Sequence, residues 1–242
     1  MTTNTAGGTA NVAVGNYAGD AITSGDNNVV VGHQAGTAIN AGGNNTALGY
    51  NALAAHTTGS SVVAIGSSAL AANTTAANNI AVGQNALAAN TTGANNIAIG
   101  KDAMLANTTG ASNVAIGFEA MKTTNHGIDY NVAIGNYALY LNTTGANNTA
   151  IGSLALDANT TGAKNTAIGR DAGHQITTGS NNICVGFEAG GSITDRANNI
   201  CIGNNSLNHG SNTNGHRNVM IGNLTDTNST DSADQIVIGY NV

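Results

Sequence analysis

One five-residue cassette sets the fold of this chain. It is apolar, ends in glycine, and first occurs as Asn11-Val12-Ala13-Val14-Gly15. Its glycine returns at positions 32, 49, 66, 83, 100, 117, 135, 152, 169, 186, 203, 222 and 239. The interval is 17 residues, except 18 from Gly117 to Gly135 and 19 from Gly203 to Gly222. A self-similar period this short is a repeat architecture. It is too short for paired helices and too regular for independent hairpins, and it suits one coil of a parallel β-solenoid. The expected organisation is a leader over residues 1–10 and a single all-β roll of about fourteen coils over 11–242. The last coil, about 223–242, is degenerate: from Gly222 through Asp226 and Ser229 to Gly239 it loses its second-half core residues.

Alternation makes the cassette a strand. The residue before each glycine is branched and aliphatic, as at Val14, Val31, Leu48, Ile65, Val82, Ile99 and Ile116. Two residues earlier stand Val12, Val29, Thr46, Val63, Ile80, Ile97 and Val114, on the same face. These two columns are expected to form the core, with coils about 4.8 Å apart. Between them runs a column of small residues: Ala13, Ala47, Ala64, Ala81, Ala98, Ala115, Ala133, Ala150, Ala167, Cys184 and Cys201, with Val30, Met220 and Val237 in the same register. A strand apolar on both faces is buried on both faces. The small column is therefore expected to face outward and to pack against another copy of the chain, because a bare apolar stripe invites aggregation.

The second half of each coil compensates within itself. Four residues past the glycine stands Leu or Met, as at Leu53, Leu70, Leu87, Met104, Met121, Leu139 and Leu156. The residue seven past is then polar: His56, Asn73, Asn90, Asn107 or Asn142. Where the first position is Gly19, Gly36, Gly173 or Gly190, the second is Ile22, Ile39, Ile176 or Ile193. One core slot filled from either side would hold packing density constant. Ten past the cassette glycine come Gly25, Gly42, Gly59, Gly93, Gly110, Gly145, Gly162 and Gly179, expected to supply positive φ at a corner. The Asn pairs that follow, such as Asn27-Asn28, Asn95-Asn96 and Asn181-Asn182, fit turn backbone and side-chain amide ladders.

The cassettes Asn-Val-Ala-Ile-Gly at 113–117 and 131–135, and Asn-Thr-Ala-Ile-Gly at 148–152 and 165–169, resemble the YadA-like head repeat of trimeric autotransporter adhesins. The longer unit, from Asn147-Asn148 through Ala155-Leu156 to Asn159-Thr160-Thr161-Gly162, is similar to repeats of phage tail-fibre proteins. The resemblance covers nearly the whole chain. It implies a left-handed parallel β-roll, a side-by-side homotrimer and a role in attachment, and it carries over no catalytic residue. The adhesin repeat is shorter than 17.

Composition narrows the function. Charged residues make up 7% of the chain and aromatics 3%, with Gly 33 and Pro 0. Six Lys and Arg are too few for a nucleic-acid face, and a net charge of -6 is too weak to imply an electrostatic partner. No apolar run approaches the ~18 residues of a membrane span. Met1 to Thr5 shows no basic or apolar signal region, which fits a virion part released by lysis better than a secreted adhesin.

His33, His56, His126, His174, His209 and His216 occupy scattered registers, so no metal ladder is expected. Cys184 and Cys201 share a register on neighbouring coils and read as small buried hydrophobes, with a disulfide or soft-metal site as the rival. Asp102 with Glu119, and Asp171 with Glu188, would stack about 5 Å apart, the spacing of retaining glycosidases. Lys101 and Arg170 stand beside them with no sugar platform, so ion-paired surface is the expectation. The Asn-Thr-Thr sequons at Asn73, Asn90, Asn107, Asn142 and Asn159 read as turns. No phosphate loop of the GxxxxGK[ST] type occurs.

The expected protein is thus no enzyme and carries no cofactor or metal. It is a rigid rod on the order of 65 Å in an attachment fibre, extracellular, and virion rather than bacterial surface. Its partners are other copies of itself and a cell-surface receptor or glycan, with loops near His126–Tyr130 and Asn208–Arg217 as places for specific contacts. Two alternatives remain. With no polar capping unit between Asn11 and Val242, the chain is excised from a longer fibre or stacks end to end as a filament. The columns Thr57-Thr58, Thr74-Thr75, Thr91-Thr92, Thr108-Thr109, Thr143-Thr144 and Thr160-Thr161 would suit an ice-binding solenoid.

Overall fold

The computed structural model describes residues 8–123, 127–208, 215–226 and 233–241. It is an all-β parallel solenoid with no helix among the described residues. Residues 1–7 of the leader, His126, His209 and Ser229 lie outside them, as do 209–214 of the second loop. The chain forms two compact units, one up to Glu119 and including Gly127, the other made of residues from Ala120 and from Ile128 onward.

In the first unit the strands are β1 Val12–Val14, β2 Val29–Val31, β3 Thr46–Leu48, β4 Val63–Ile65, β5 Ile80–Val82, β6 Ile97–Ile99 and β7 Val114–Ile116. Each pairs in parallel with the next, in register with the repeat: Ala81 opposite Ala98, and Ala98 opposite Ala115. The second unit holds β8 Val132–Ile134, β9 Thr149–Ile151, β10 Thr166–Ile168, β11 Ile183–Val185, β12 Ile200–Ile202, β13 Val219–Ile221 and β14 Ile236–Ile238. These pair in the same way, Cys184 opposite Cys201. Every strand is the central three residues of a cassette. The glycine after it ends the strand, with φ near +135° in coil after coil.

The two faces of the strand are the reverse of the expectation. Ala47, Ala64, Ala81, Ala98, Ala115, Ala133, Ala150, Ala167, Cys184 and Cys201 are fully buried inside their own coils, and Ala13 of the first coil is half-buried. They cannot be an inter-chain packing column. The branched residues expected in the core stand outside, with Val14 51% and Ile99 38% exposed. The reason is lumen width. The small column faces the residue four past the glycine across a narrow interior, and opposite Leu or Met there stands Ala or, where Leu207 faces it, Cys201. In two coils where the strand residue is larger, those of Val30 and Cys184, the facing position is glycine. A Cβ on Gly36 would lie 2.6 Å from Val30 Cγ1, and one on Gly190 would collide with Cys184 Sγ.

The shared core slot is present as expected. Leu53 is buried and so is Ile22, at 0% and 6% exposed. A Cβ on Gly173 would meet Ile176 Cδ1 at 3.0 Å and Leu156 Cδ2 at 3.1 Å, so glycine gives up the volume that Ile fills. The leucines hold this slot in left-handed conformation, φ 51° at Leu87 and at Leu156, at a cost of roughly 1–2 kcal/mol each. A third buried column, Ala18, Ala35, Ala52, Ala69 and its successors three past the glycine, completes the core.

Two buried amide ladders run alongside. In the first, Asn28 Oδ1 accepts the Asn45 backbone N–H at 3.0 Å, and Asn79 Oδ1 accepts that of Asn96 at 2.9 Å. Each Nδ2 donates to a corner carbonyl, Asn79 to Gly93 and Asn96 to Gly110, both at 2.8 Å. The other member of each pair, Asn27, Asn95 or Asn181, takes positive φ near 59° at the surface. In the second ladder Asn90 Nδ2 donates to Asn73 Oδ1, and Asn107 Nδ2 to Asn90 Oδ1, each at 3.1 Å. The corner glycines do not take positive φ. At Gly59 the stacked backbones touch: a Cβ there would sit 2.7 Å from the Ala76 carbonyl oxygen, although Ala76 holds the same corner position on the next coil.

The slot is testable as a swap. Asn159 ends one run of the second ladder, its Oδ1 buried without a partner, and the next coil is already of the Gly173/Ile176 kind. Leu156→Gly alone should cost about 3–5 kcal/mol for the cavity, and Asn159→Ile alone about 1–3 kcal/mol for overpacking. The double variant should return to within about 1.5 kcal/mol of the parent. Denaturant melts of all four proteins give the coupling energy; additive losses would refute the shared slot.

Candidate interaction surface

What the coil leaves outside is a flat aliphatic face. Along β2 to β6 the outward residues include Val29, Leu48, Ile80 and Ile99; along β10 to β12 they include Ile168, Ile183 and Ile202, all exposed. Thr46, Thr149 and Thr166 stand in the same columns, half-buried by their neighbours. The faces arise directly from the three-residue strand, because the inward residue is the middle one and both flanking residues must point away.

Beside this face, one residue past several of the cassette glycines, stand rings and cations, with Tyr17 one position further along. His33 stacks on Tyr50 with centroids 5.7 Å apart and planes at 6°, and Tyr17 meets His33 edge-on at 6.2 Å. Lys101 lies over Phe118 at 5.8 Å and Arg170 over Phe187 at 5.4 Å. The His33 and Tyr50 rings turn their faces to one another and so offer only one outer face each.

Asp102 is buried and Asp171 half-buried, and both are ion-paired. Arg170 Nε lies 2.9 Å from Asp171 Oδ2 and Lys101 Nζ 3.9 Å from Asp102 Oδ2. Asn85 Nδ2 donates to Asp102 Oδ1 at 2.9 Å and Asn208 Nδ2 to Glu188 Oε2 at 2.8 Å. Nearby, burial pushes the Asp157 carboxyl up against the opposing pull of His174. The Cys201 thiol is held well above its usual range by its hydrogen bond to Cys184 and by burial, and both cysteines are free and buried. The remaining described histidines bond to backbone: His174 Nδ1 lies 3.0 Å from the Asp171 carbonyl oxygen, and His216 Nδ1 accepts the Ala197 N–H at 3.3 Å. Among the described residues no three His, Cys, Asp or Glu side chains converge as a metal site.

The threonine columns form a corner. Thr57, Thr74 and Thr91 donate their hydroxyls to the carbonyls of Thr74, Thr91 and Thr108 at 3.0–3.1 Å, leaving the second residue of each pair exposed. The sequon residues Asn73, Asn90, Asn107, Asn142 and Asn159 are fully buried, so the folded coil presents none of them for glycosylation. No described helix is long and apolar enough to cross a membrane. Comparison with protein-family models, with curated proteins and with solved structures yields no match.

Proposed function

We propose that this chain is a non-enzymatic, structural and adhesive β-solenoid segment of a homotrimeric attachment fibre, whose copies pack side by side through the outward aliphatic face. The observation that carries the reading is that face. Seven strands at ~4.8 Å each, three residues wide, give about 34 Å by 10 Å. That is on the order of 300 Å² of flat apolar surface in each unit, comparable to the largest patch a typical monomer leaves in water. Burial against another copy removes it from water, and a parallel, three-fold arrangement sets each β-branched residue against its own equivalents at the same height. The trimer order, the left-handed coil and the role in host or surface attachment, at an extracellular site such as a virion fibre, follow the resemblance of the cassettes. A low density of Lys and Arg suits an exposed, protease-resistant fibre.

Light scattering coupled to size-exclusion chromatography is the test. The expected mass is three times 23.8 kDa. A clean monomer overturns the self-packing face and turns attention to an ice-binding solenoid; a polydisperse, much larger species points to an end-to-end filament.

A further inference from the structure

We infer that His56 is an acid-sensitive rung of the second amide ladder: taking up a proton breaks the hydrogen bond that joins its coil to the coil of Asn73. The position seven past the glycine carries Ile39 on the preceding coil, His56, and then Asn73 and Asn90. His56 is fully buried. Its Nε2 lies 2.7 Å from the Gly59 carbonyl oxygen and its Nδ1 2.9 Å from Asn73 Nδ2. A carbonyl only accepts and an amide nitrogen only donates, so Nε2 carries the hydrogen and Nδ1 is a bare acceptor. The imidazole thereby copies an Asn rung. Its Nε2–H replaces the Nδ2–H that Asn90 gives to the Gly93 carbonyl at 2.9 Å, and its Nδ1 replaces the Oδ1 that accepts from the next coil.

Protonation puts a hydrogen on Nδ1 and sets donor against donor. Asn73 cannot relieve this by turning its amide over. Its Nδ2 also donates to the Ala76 carbonyl at 3.0 Å, and its Oδ1 accepts from Asn90, which is held in the same way to Asn107. Every donor in the run points toward the lower-numbered coil, so a flip at one rung forces a clash at the next. Among the described residues nothing charged faces the ring. Ile39 and Asn73 occupy the adjacent rungs and the Gly59 carbonyl the corner, and no carboxylate or cation acts on it.

The sign of the effect follows. Burial lowers the His56 pKa, with the Gly59 carbonyl opposing in part. The folded ring stays neutral where the unfolded ring, near 6.5, already binds a proton. Stability is therefore fully present above about pH 6.5 and declines as pH falls toward the folded value. Each pH unit in that window should raise the opening equilibrium of these coils by up to about tenfold.

Hydrogen exchange, corrected for intrinsic rates, tests this on the native chain and on His56→Asn, which restores the residue found on the following coils. Between pH 6.5 and 5.5 the native segment 53–76 should lose protection up to about tenfold, while segment 87–110 holds. In the His56→Asn protein both segments should hold. Equal loss at 53–76 in the variant, or no loss in the native chain, overturns the inference. A His56 ring titration by NMR with its midpoint at or above about 6.5 does so as well.

Discussion

Lysine placed at Ile99 and Ile168 should split the proposed side-by-side assembly into 23.8 kDa monomers with the coil still folded, whereas leucine at Ala98 should destabilise the coil itself. Ile99 and Ile168 are each 38% exposed and end their strands on the outward face, one in each unit. In water a lysine there keeps its ammonium hydrated and costs the single chain little. In a side-by-side assembly the same ammonium is buried unpaired at a level where each partner brings another. Leaving a buried charge without a partner costs about 3–5 kcal/mol, so the dissociation constant should rise at least a hundredfold. Ala98 stands one residue away and is fully buried, with the buried Met104 filling the other side of the lumen. Leucine adds three carbons where no space exists, and overpacking of a tight core costs about 1–3 kcal/mol or more. Far-ultraviolet circular dichroism on heating reads the fold, and light scattering reads the mass. Dissociation by Ala98→Leu with the melt unchanged would return the alanine column to the outside.

Why that column misleads as sequence is instructive. Alternation states that Ala98 and its neighbours Ile97 and Ile99 point to opposite sides, but with apolar residues on both sides it does not say which side is interior. Size suggests the larger pair. The lumen decides otherwise, because its width is fixed by a residue from the far side of the coil. The signal was present in the pairing of Val30 with Gly36 and Cys184 with Gly190, where a larger strand residue faces a missing side chain. The period, strand positions, register and the Leu53/Ile22 slot were legible, since each is a property of spacing alone. The role of Asn28 rather than Asn27 was not, because it depends on which amide reaches the next coil's N–H. The same limit holds for the corner: sequence shows that glycine recurs there, and only the stacked carbonyl of Ala76 shows how close the next coil lies to Gly59. The face that the interior geometry leaves outside is the branched one that size suggests for the core.

A single methyl group at Gly66 should be among the most damaging changes available to this chain. Gly66 turns the chain out of β4 with φ +132°, a region open to glycine and nearly closed to any other residue. A Cβ there would lie 2.5 Å from the Gly83 carbonyl oxygen and 2.6 Å from its carbon, backbone atoms of the next coil that cannot swing aside. Backbone strain of about 1–3 kcal/mol then adds to the separation of two stacked coils. Gly66→Ala should therefore cost about 3 kcal/mol or more. Gly127 is the control. It also has positive φ, at +74°, yet the nearest atom to its would-be Cβ is Thr109 Oγ1 at 3.9 Å. Gly127→Ala should cost only about 1 kcal/mol, the price of the left-handed conformation alone. Denaturant melts at neutral pH compare the two. Because each coil leans only on its neighbours, the damage from Gly66→Ala should be local, with hydrogen-exchange protection lost first around residues 63–86. Equal losses for the two variants would mean that backbone conformation, and not the contact between stacked coils, is what reserves the cassette position for glycine.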